Sequence, residues 1–332
     1  MPLIAAPVTT PPDPGEPPAG GGGGGPELGR PSVTYYDPSG GVWPLTSRAL
    51  GWYTLADGVD GLGAAPYQLA TDAHPRGGAR LRHAQAQPRA ITWPLRVYGA
   101  NHLEFVERWR RLAAAFTRTL RPGQGPGVLE IARPDGTRRQ IEVYYREGFD
   151  GLGRSTTGRI ADTAVLTLWC EDPYWVDPVS VMVHREQGVG EDFLEPFPSV
   201  SSSQVLGATV VNNPSDVVVW PEWTITGPAS LVTFTVTRQR ADGTTFTESF
   251  VLNPSAPAVG HGGLLDGQKV AVRTDPVQVR YQDGSNWIGA LNWPQAVLWG
   301  LDPGDNAVTF QLDGSGPGSA VDLAFNPRYE TA

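Results

Sequence analysis

The sequence predicts a mainly β protein made of two β-rich domains, and three observations predict it. Gly and Pro make up 22% of the 332 residues, with 41 Gly and 32 Pro, against about 12% in average usage. Breakers this frequent leave little room for long helices, which argues against a helical bundle, a coiled coil or a helical solenoid. Many short segments alternate apolar and polar residues and are bounded by turn chemistry, as strands are. One stretch alone carries the spacing of an amphipathic helix. The 40% hydrophobic content is enough to bury a core, so global disorder is set aside. There is no G-X-Y period, so collagen is excluded.

Residues 1–30 read as a Pro/Gly-rich arm. Pro11, Pro12, Pro14, Pro17 and Pro18 favour extended polyproline geometry, and Gly20 to Gly25 form an unbroken run. Ordering such a run is costly, so the arm is expected to order only against neighbours in an assembly.

Residues 31–185 read as a first domain. Ser32–Tyr36 and Gly41–Leu45 flank Asp37-Pro38-Ser39-Gly40 as a hairpin. Arg89–Tyr98 alternates Ile91, Trp93, Leu95 and Val97 with polar or small residues, and Pro94 puts that strand near an edge or bulge. The helix spans Asn101–Leu120. Asn101 can cap it, and Glu104 can reach back to the cap. Its apolar stripe is Leu103, Val106, Trp109, Leu112, Ala113, Phe116 and Leu120, and Arg121-Pro122-Gly123 stops it. Glu104/Arg108 and Glu107/Arg111 are spaced as i,i+4 pairs. Arg108, Arg110, Arg111, Arg118 and Arg121 lie off the centre of the stripe, and Arg108, Arg111 and Arg118 are the candidate interface or lumen residues. They are either a solvated face or an oligomer-interface or lumen-lining face. Further strands are expected at Gly127–Arg133, Arg138–Tyr145, Arg159–Trp169 and Val179–Arg185. A linker is placed at 186–206.

Residues 207–332 read as an antiparallel β-sandwich. Its strands are expected at Ala208–Asn212, Asp216–Ile225, Leu231–Gln239, Thr245–Leu252, Gln268–Arg273, Gln278–Tyr281, Ala307–Leu312 and Ala320–Phe325. Asn-Pro, Asp-Gly and Asp-Pro-Gly turns fall between many of them.

The net charge of −9 argues against a general nucleic-acid binder. Charge is uneven: residues 31–185 carry 18 Arg against 15 acidic residues, and 207–332 carry 6 basic against 12 acidic. The split suggests domains facing different partners. No apolar run is long enough to span a bilayer, and the start lacks signal-peptide features. The expectation is a soluble protein made in the cytoplasm.

Site signals are weak. Cys170 is the single cysteine, which excludes an intrachain disulfide and a multi-cysteine zinc site. A buried, inert thiol is expected. Gly262 to Lys269 approaches a phosphate loop, but Gln268 breaks the motif and no helix should follow. None of the five histidines pairs with another at i,i+4. No catalytic, cofactor or metal constellation is expected, and no enzyme activity. Tryptophan is the strongest ligand hint. Trp223 shares strand parity with Val217, Val219 and Ile225 and should be core, whereas Trp287 and Trp293 lie in loop-like contexts. Those two are candidate contacts for a sugar or a protein partner.

The order of short motifs carries a resemblance. Trp93-Pro94-Leu95-Arg96-Val97-Tyr98-Gly99 precedes the helix. Arg121-Pro122-Gly123, Gly127-Val128-Leu129, Asp135-Gly136, Val143-Tyr144-Tyr145 and Asp172-Pro173-Tyr174-Trp175 follow it. Asn212-Asn213-Pro214, Trp220-Pro221, Ile225-Thr226-Gly227, Asp302-Pro303-Gly304-Asp305-Asn306 and Phe325-Asn326-Pro327-Arg328-Tyr329 continue the series. Over about residues 32–330 the chain resembles the phage tail-component family that includes the distal tail (Dit) proteins of long-tailed phages; the arm is outside that pattern.

The resemblance implies a virion component at the tail tip, forming a homohexameric ring around the DNA channel. It implies a belt-type N-terminal domain that makes the ring and a galectin-like C-terminal sandwich pointing outward. Implied partners are the tail tube protein, the tail hub or tail-associated protein, the tape measure protein, and a receptor-binding protein or host glycan. Neither sequence-specific nucleic-acid binding nor membrane insertion is implied. The alternative is a carbohydrate-binding tail or cell-surface-binding sandwich.

Overall fold

The computed structural model describes residues 29, 31–150, 159–187, 205–240 and 242–332. The arm, apart from residue 29, and most of the expected linker lie outside them. In chain order the first elements are β1 (Ser32–Tyr36), β2 (Val42–Pro44), β3 (Trp52–Thr54), β4 (Tyr67–Ala73), β5 (Ala79–Ala86), β6 (Arg89–Tyr98), α1 (His102–Thr117), β7 (Gly127–Ala132), β8 (Arg138–Glu147), β9 (Ala161–Cys170) and β10 (Trp175–Val176). Then come β11 (Val181–Glu186), β12 (Val205–Asn213), β13 (Glu222–Thr226), β14 (Leu231–Gln239), β15 (Thr245–Leu252), β16 (Lys269–Arg273), β17 (Gln278–Tyr281), β18 (Gly304–Asp313), β19 (Ala320–Phe325) and β20 (Arg328–Tyr329). The protein is mainly β, with one α-helix among the described residues.

The N-terminal sheet runs β2-β1-β7-β8-β9-β6-β3, with β10 joined to β8 and β20 to β10. Alternation decides which face of each strand is buried: Ile91, Leu95 and Val97 of β6 and Ala164, Leu166 and Leu168 of β9 are in the core. Pro94 sits on the flank of β6 covered by the short strand β3. Its missing N–H costs little there, and its carbonyl accepts from Leu55 N at 3.0 Å.

Helix α1 closes the core with Phe105, Trp109, Leu112, Ala115 and Phe116. The expected stripe was partly off: Leu103 is 79% exposed and Leu120 59%, while Phe105 is fully buried. Asn101 caps the helix by accepting from Glu104 N at 3.0 Å. The Glu104 carboxylate accepts from Ala100 N at 2.6 Å, one residue before the cap. Tyr35 stacks on Phe116 at 4.1 Å, which fixes the helix against β1.

The second unit is a sandwich of β11-β19-β13-β16-β17 over β12-β18-β14-β15, antiparallel throughout. Leu231–Gln239 shows why: Val232, Phe234 and Val236 point into the core and Thr233 and Thr235 do not. Trp223 is buried as expected. It stacks on Phe234 at 4.5 Å and meets Trp299 edge-on at 4.9 Å. Burying each such ring stabilises by about 1.5–3 kcal/mol, so this cluster is a large part of the sandwich core.

Two crossings tie the halves together. The strand expected at Val179–Arg185, in the first domain, forms as β11, yet β11 pairs along its whole length with β19 of the sandwich. At the other end the chain leaves the sandwich after β19, and β20 pairs with β10 of the N-terminal sheet.

Candidate assembly surfaces

The β4–β5 hairpin is the structure's most exposed element, and sequence reasoning missed it. Every residue of β4 is exposed, and β5 is exposed up to Ala86. Its turn is closed by His74 N to Gly78 O at 3.0 Å and Gly77 N to His74 O at 2.9 Å. Gly77 and Gly78 take φ of 91° and 83°, which only glycine adopts easily. Among the described residues the ribbon has no third strand. A two-stranded ribbon is at best marginally stable in water, and its open edges are templates for pairing with another chain. Leu69 and Leu81 are 59% and 56% exposed on it, beside the Arg82–Asp72 ion pair. The available sequence signal was Gly77-Gly78 between two runs without breakers.

The hairpin root is fastened by residues from the far end of the chain. Glu330 accepts from Ala65 N at 2.9 Å and from the Tyr67 hydroxyl at 2.6 Å. Its backbone carbonyl accepts from Arg89 Nη2 at 2.8 Å. Arg89 is buried, and its Nη1 also donates to the carbonyls of Gly61 and Gly63 at 3.0 and 2.8 Å. Three carbonyls from two distant segments thus meet one guanidinium, whose planar fork suits such convergence. The hydrogen bond to Glu330 raises the pKa of the Tyr67 phenol, with Tyr174 and burial adding to the shift.

The three helix arginines separate. Arg108 pairs with Glu104 at 2.6 Å and donates to Tyr98 O at 2.8 Å. Arg118 pairs with Asp37 at 3.1 Å and reaches Ser39. Both guanidinium groups are thereby engaged within the chain. Arg111 is exposed, with its guanidinium 6.0 Å from the Trp43 ring centroid. No Glu107–Arg111 ion pair forms among the described residues.

Asp37 sits at the centre of the first hairpin's turn. Burial works to raise its pKa. Hydrogen bonds from the Ser39 and Trp43 side chains, and from the Ser39 and Gly41 backbone, outweigh that and hold it below the ordinary 3.8.

The two candidate tryptophans also separate. Trp287 is buried, not loop-exposed: it stacks parallel to Tyr281 at 4.5 Å with His261 against both rings. Packing by β17 removes its face from any ligand. Trp293 is 50% exposed, with its indole N–H donating to Ile288 O at 3.2 Å.

Among the described residues no group of His, Cys, Asp and Glu is placed to hold a metal ion. Cys170 is buried, and burial pushes its thiol up to about 12. Lys269 begins strand β16, so no helix follows the glycine-rich segment before it. No helix among the described residues is long and apolar enough to cross a membrane.

Compared with solved structures, the chain is similar to the Dit protein (gp 19.1) of phage SPP1, described as a paradigm of the hub adsorption apparatus in phages infecting Gram-positive hosts. The TM-score is 0.60 at 15% identity, over 90% of this chain and 99% of that one. Chains of the phage p2 baseplate in its activated conformation, with Sr and with Ca, align with TM-scores of 0.49 and 0.48. Identities there are 10% and 9%, over 92% and 91% of this chain and 100% of each baseplate chain. No protein-family model and no curated protein sequence matches. The likeness to the SPP1 protein establishes a shared fold along nearly the whole of both chains.

Proposed function

We propose that this chain is a structural component of a phage tail tip, a distal tail protein. In this reading it forms a ring that joins the tail tube to the tail hub and receptor-binding apparatus. The observation that carries the reading is the fold shared with the SPP1 Dit protein over 90% of this chain and 99% of that one. Fold alone does not fix function, so the surface has to fit as well. The ribbon β4–β5, with open edges and exposed Leu69 and Leu81, suits pairing with a second copy of the chain.

In this reading the ring is a homohexamer, and of Arg108, Arg111 and Arg118 it is Arg111 that is left to face a neighbour or the lumen. The N-terminal sheet and its helix form the ring-making part and the sandwich, β11 included, the outer part, with residues 1–30 as an arm along a neighbouring subunit. The tube, hub and tape measure proteins are its neighbours in the virion. The role is architectural and calls for no catalysis.

Light scattering on the purified full chain tests this. A particle of six times 35.5 kDa is expected. The double variant Leu69→Asp/Leu81→Asp should shift it to monomer while the fold, read by circular dichroism, stays intact. A wild-type chain that stays monomeric at high concentration counts against the ring, and an unaffected particle counts against the hairpin.

A further inference from the structure

We propose that the crevice between the N-terminal sheet and the sandwich binds a neutral pyranose sugar. This is independent of ring formation. The crevice encloses about 290 Å³, and Trp220, Glu222, Arg273, Asp275, Asp172 and Arg328 line it. That volume is near the lower limit of ligand sites, about 300–1,000 Å³, which suits a single ring. A second cavity of about 500 Å³ continues it, sharing Asp172, Arg273 and Asp275 and adding Tyr174 and Glu142. A second sugar ring has room there.

Trp220 is the sandwich tryptophan that combines a part-exposed ring, 44% exposed, with an N–H without a partner among the described residues. Trp287 is buried in a stack, and Trp293 already donates to Ile288 O. An indole gives an apolar platform with a polar edge, which matches the C–H face and hydroxyl rim of a pyranose. Asp275 supplies an unpaired carboxylate in the same wall, with no hydrogen bond or ion pair among the described residues.

The remaining polar groups are held in place beforehand. Glu222 and Arg273 form an ion pair at 3.3 Å across adjacent strands β13 and β16. Arg328 pairs with Asp172 and lies over the Tyr174 ring at 4.7 Å. Carboxylates and guanidiniums paired in this way present acceptors and donors to neighbouring hydroxyls. Three carboxylates against two guanidiniums line the crevice. The excess of negative charge selects a neutral sugar over a uronate or a phosphate.

Saturation-transfer NMR on the full chain tests this, with D-glucose, D-galactose, N-acetyl-D-glucosamine and D-glucuronate as probes. At least one neutral sugar should bind, more tightly than glucuronate. Trp220→Ala and Asp275→Ala should each weaken it by about tenfold or more, and Trp293→Ala should leave it unchanged. Asp275→Ala keeps the test readable if Trp220→Ala perturbs folding, which thermal melting reports. Binding of none of the neutral sugars, preference for glucuronate, or full binding by either variant in folded form overturns the proposal.

Discussion

The Tyr67 hydroxyl donates to Glu330 Oε1 at 2.6 Å across 263 positions of sequence. The root of the most exposed hairpin is thereby fastened by the segment that leaves the sandwich. The same residue accepts from Ala65 N and, through its carbonyl, from buried Arg89. In the proposed ring, this contact makes the angle of the hairpin depend on the sandwich above it.

Glu330→Ala should therefore loosen the hairpin root. It leaves the buried Ala65 N–H without its acceptor and the Tyr67 hydroxyl with only Tyr174 as a partner, a loss of about 1–3 kcal/mol. Hydrogen exchange should rise across residues 62–87 and stay unchanged in β14. Unchanged exchange at the hairpin would show that Glu330 is not the fastening.

Asp37 gives the acid sensitivity a sign. Its folded pKa lies below the ordinary 3.8, so its contribution is fully present above that value and is lost as pH falls through the folded pKa. Asp37→Asn should destabilise the chain by about 1–3 kcal/mol at pH 7. The difference from wild type should shrink below about pH 4. Urea unfolding at pH 7 and pH 3 reads both.

His184 should titrate above the ordinary 6.5. The hydrogen bond to Asp322 at 2.6 Å favours its charged form, burial opposes it slightly, and Glu186 at 3.6 Å adds to the rise. The contribution is present below 6.5 and is lost as pH rises through the raised value. The side chain is 57% exposed, so the effect on stability is small. NMR titration should show Asp322→Asn returning His184 towards 6.5.

Tryptophans in the sandwich should differ sharply. Trp223→Ala empties the centre of a five-ring cluster and should cost about 3–5 kcal/mol. Trp293→Ala, at a half-exposed ring, should cost under about 1 kcal/mol. Thermal denaturation of the two variants side by side checks the contrast.

The core strands were legible in the sequence because burial imposes a period of two. Arg89–Tyr98, Leu231–Gln239, Thr245–Leu252 and Ala320–Phe325 match strands of the structure end to end. The helix was legible from its cap, although Phe105 was missed because Leu103 fitted the same spacing. The β4–β5 hairpin was not legible: it buries neither face, so no alternation was imposed on it. The β20 return and the Arg89–Glu330 contact were hidden for another reason. They depend on partners about 150 and 241 positions apart, which local pattern cannot register. Trp287 misled because its loop-like neighbours gave no sign of the Tyr281 ring that covers it.

Cryo-electron microscopy of phage tails assembled with this chain tests the proposed tail-tip role most directly. A six-fold ring of this chain at the end of the tail tube, with β4–β5 laid against the adjacent copy, is the predicted result. Tails whose tip density is complete without this chain would contradict it.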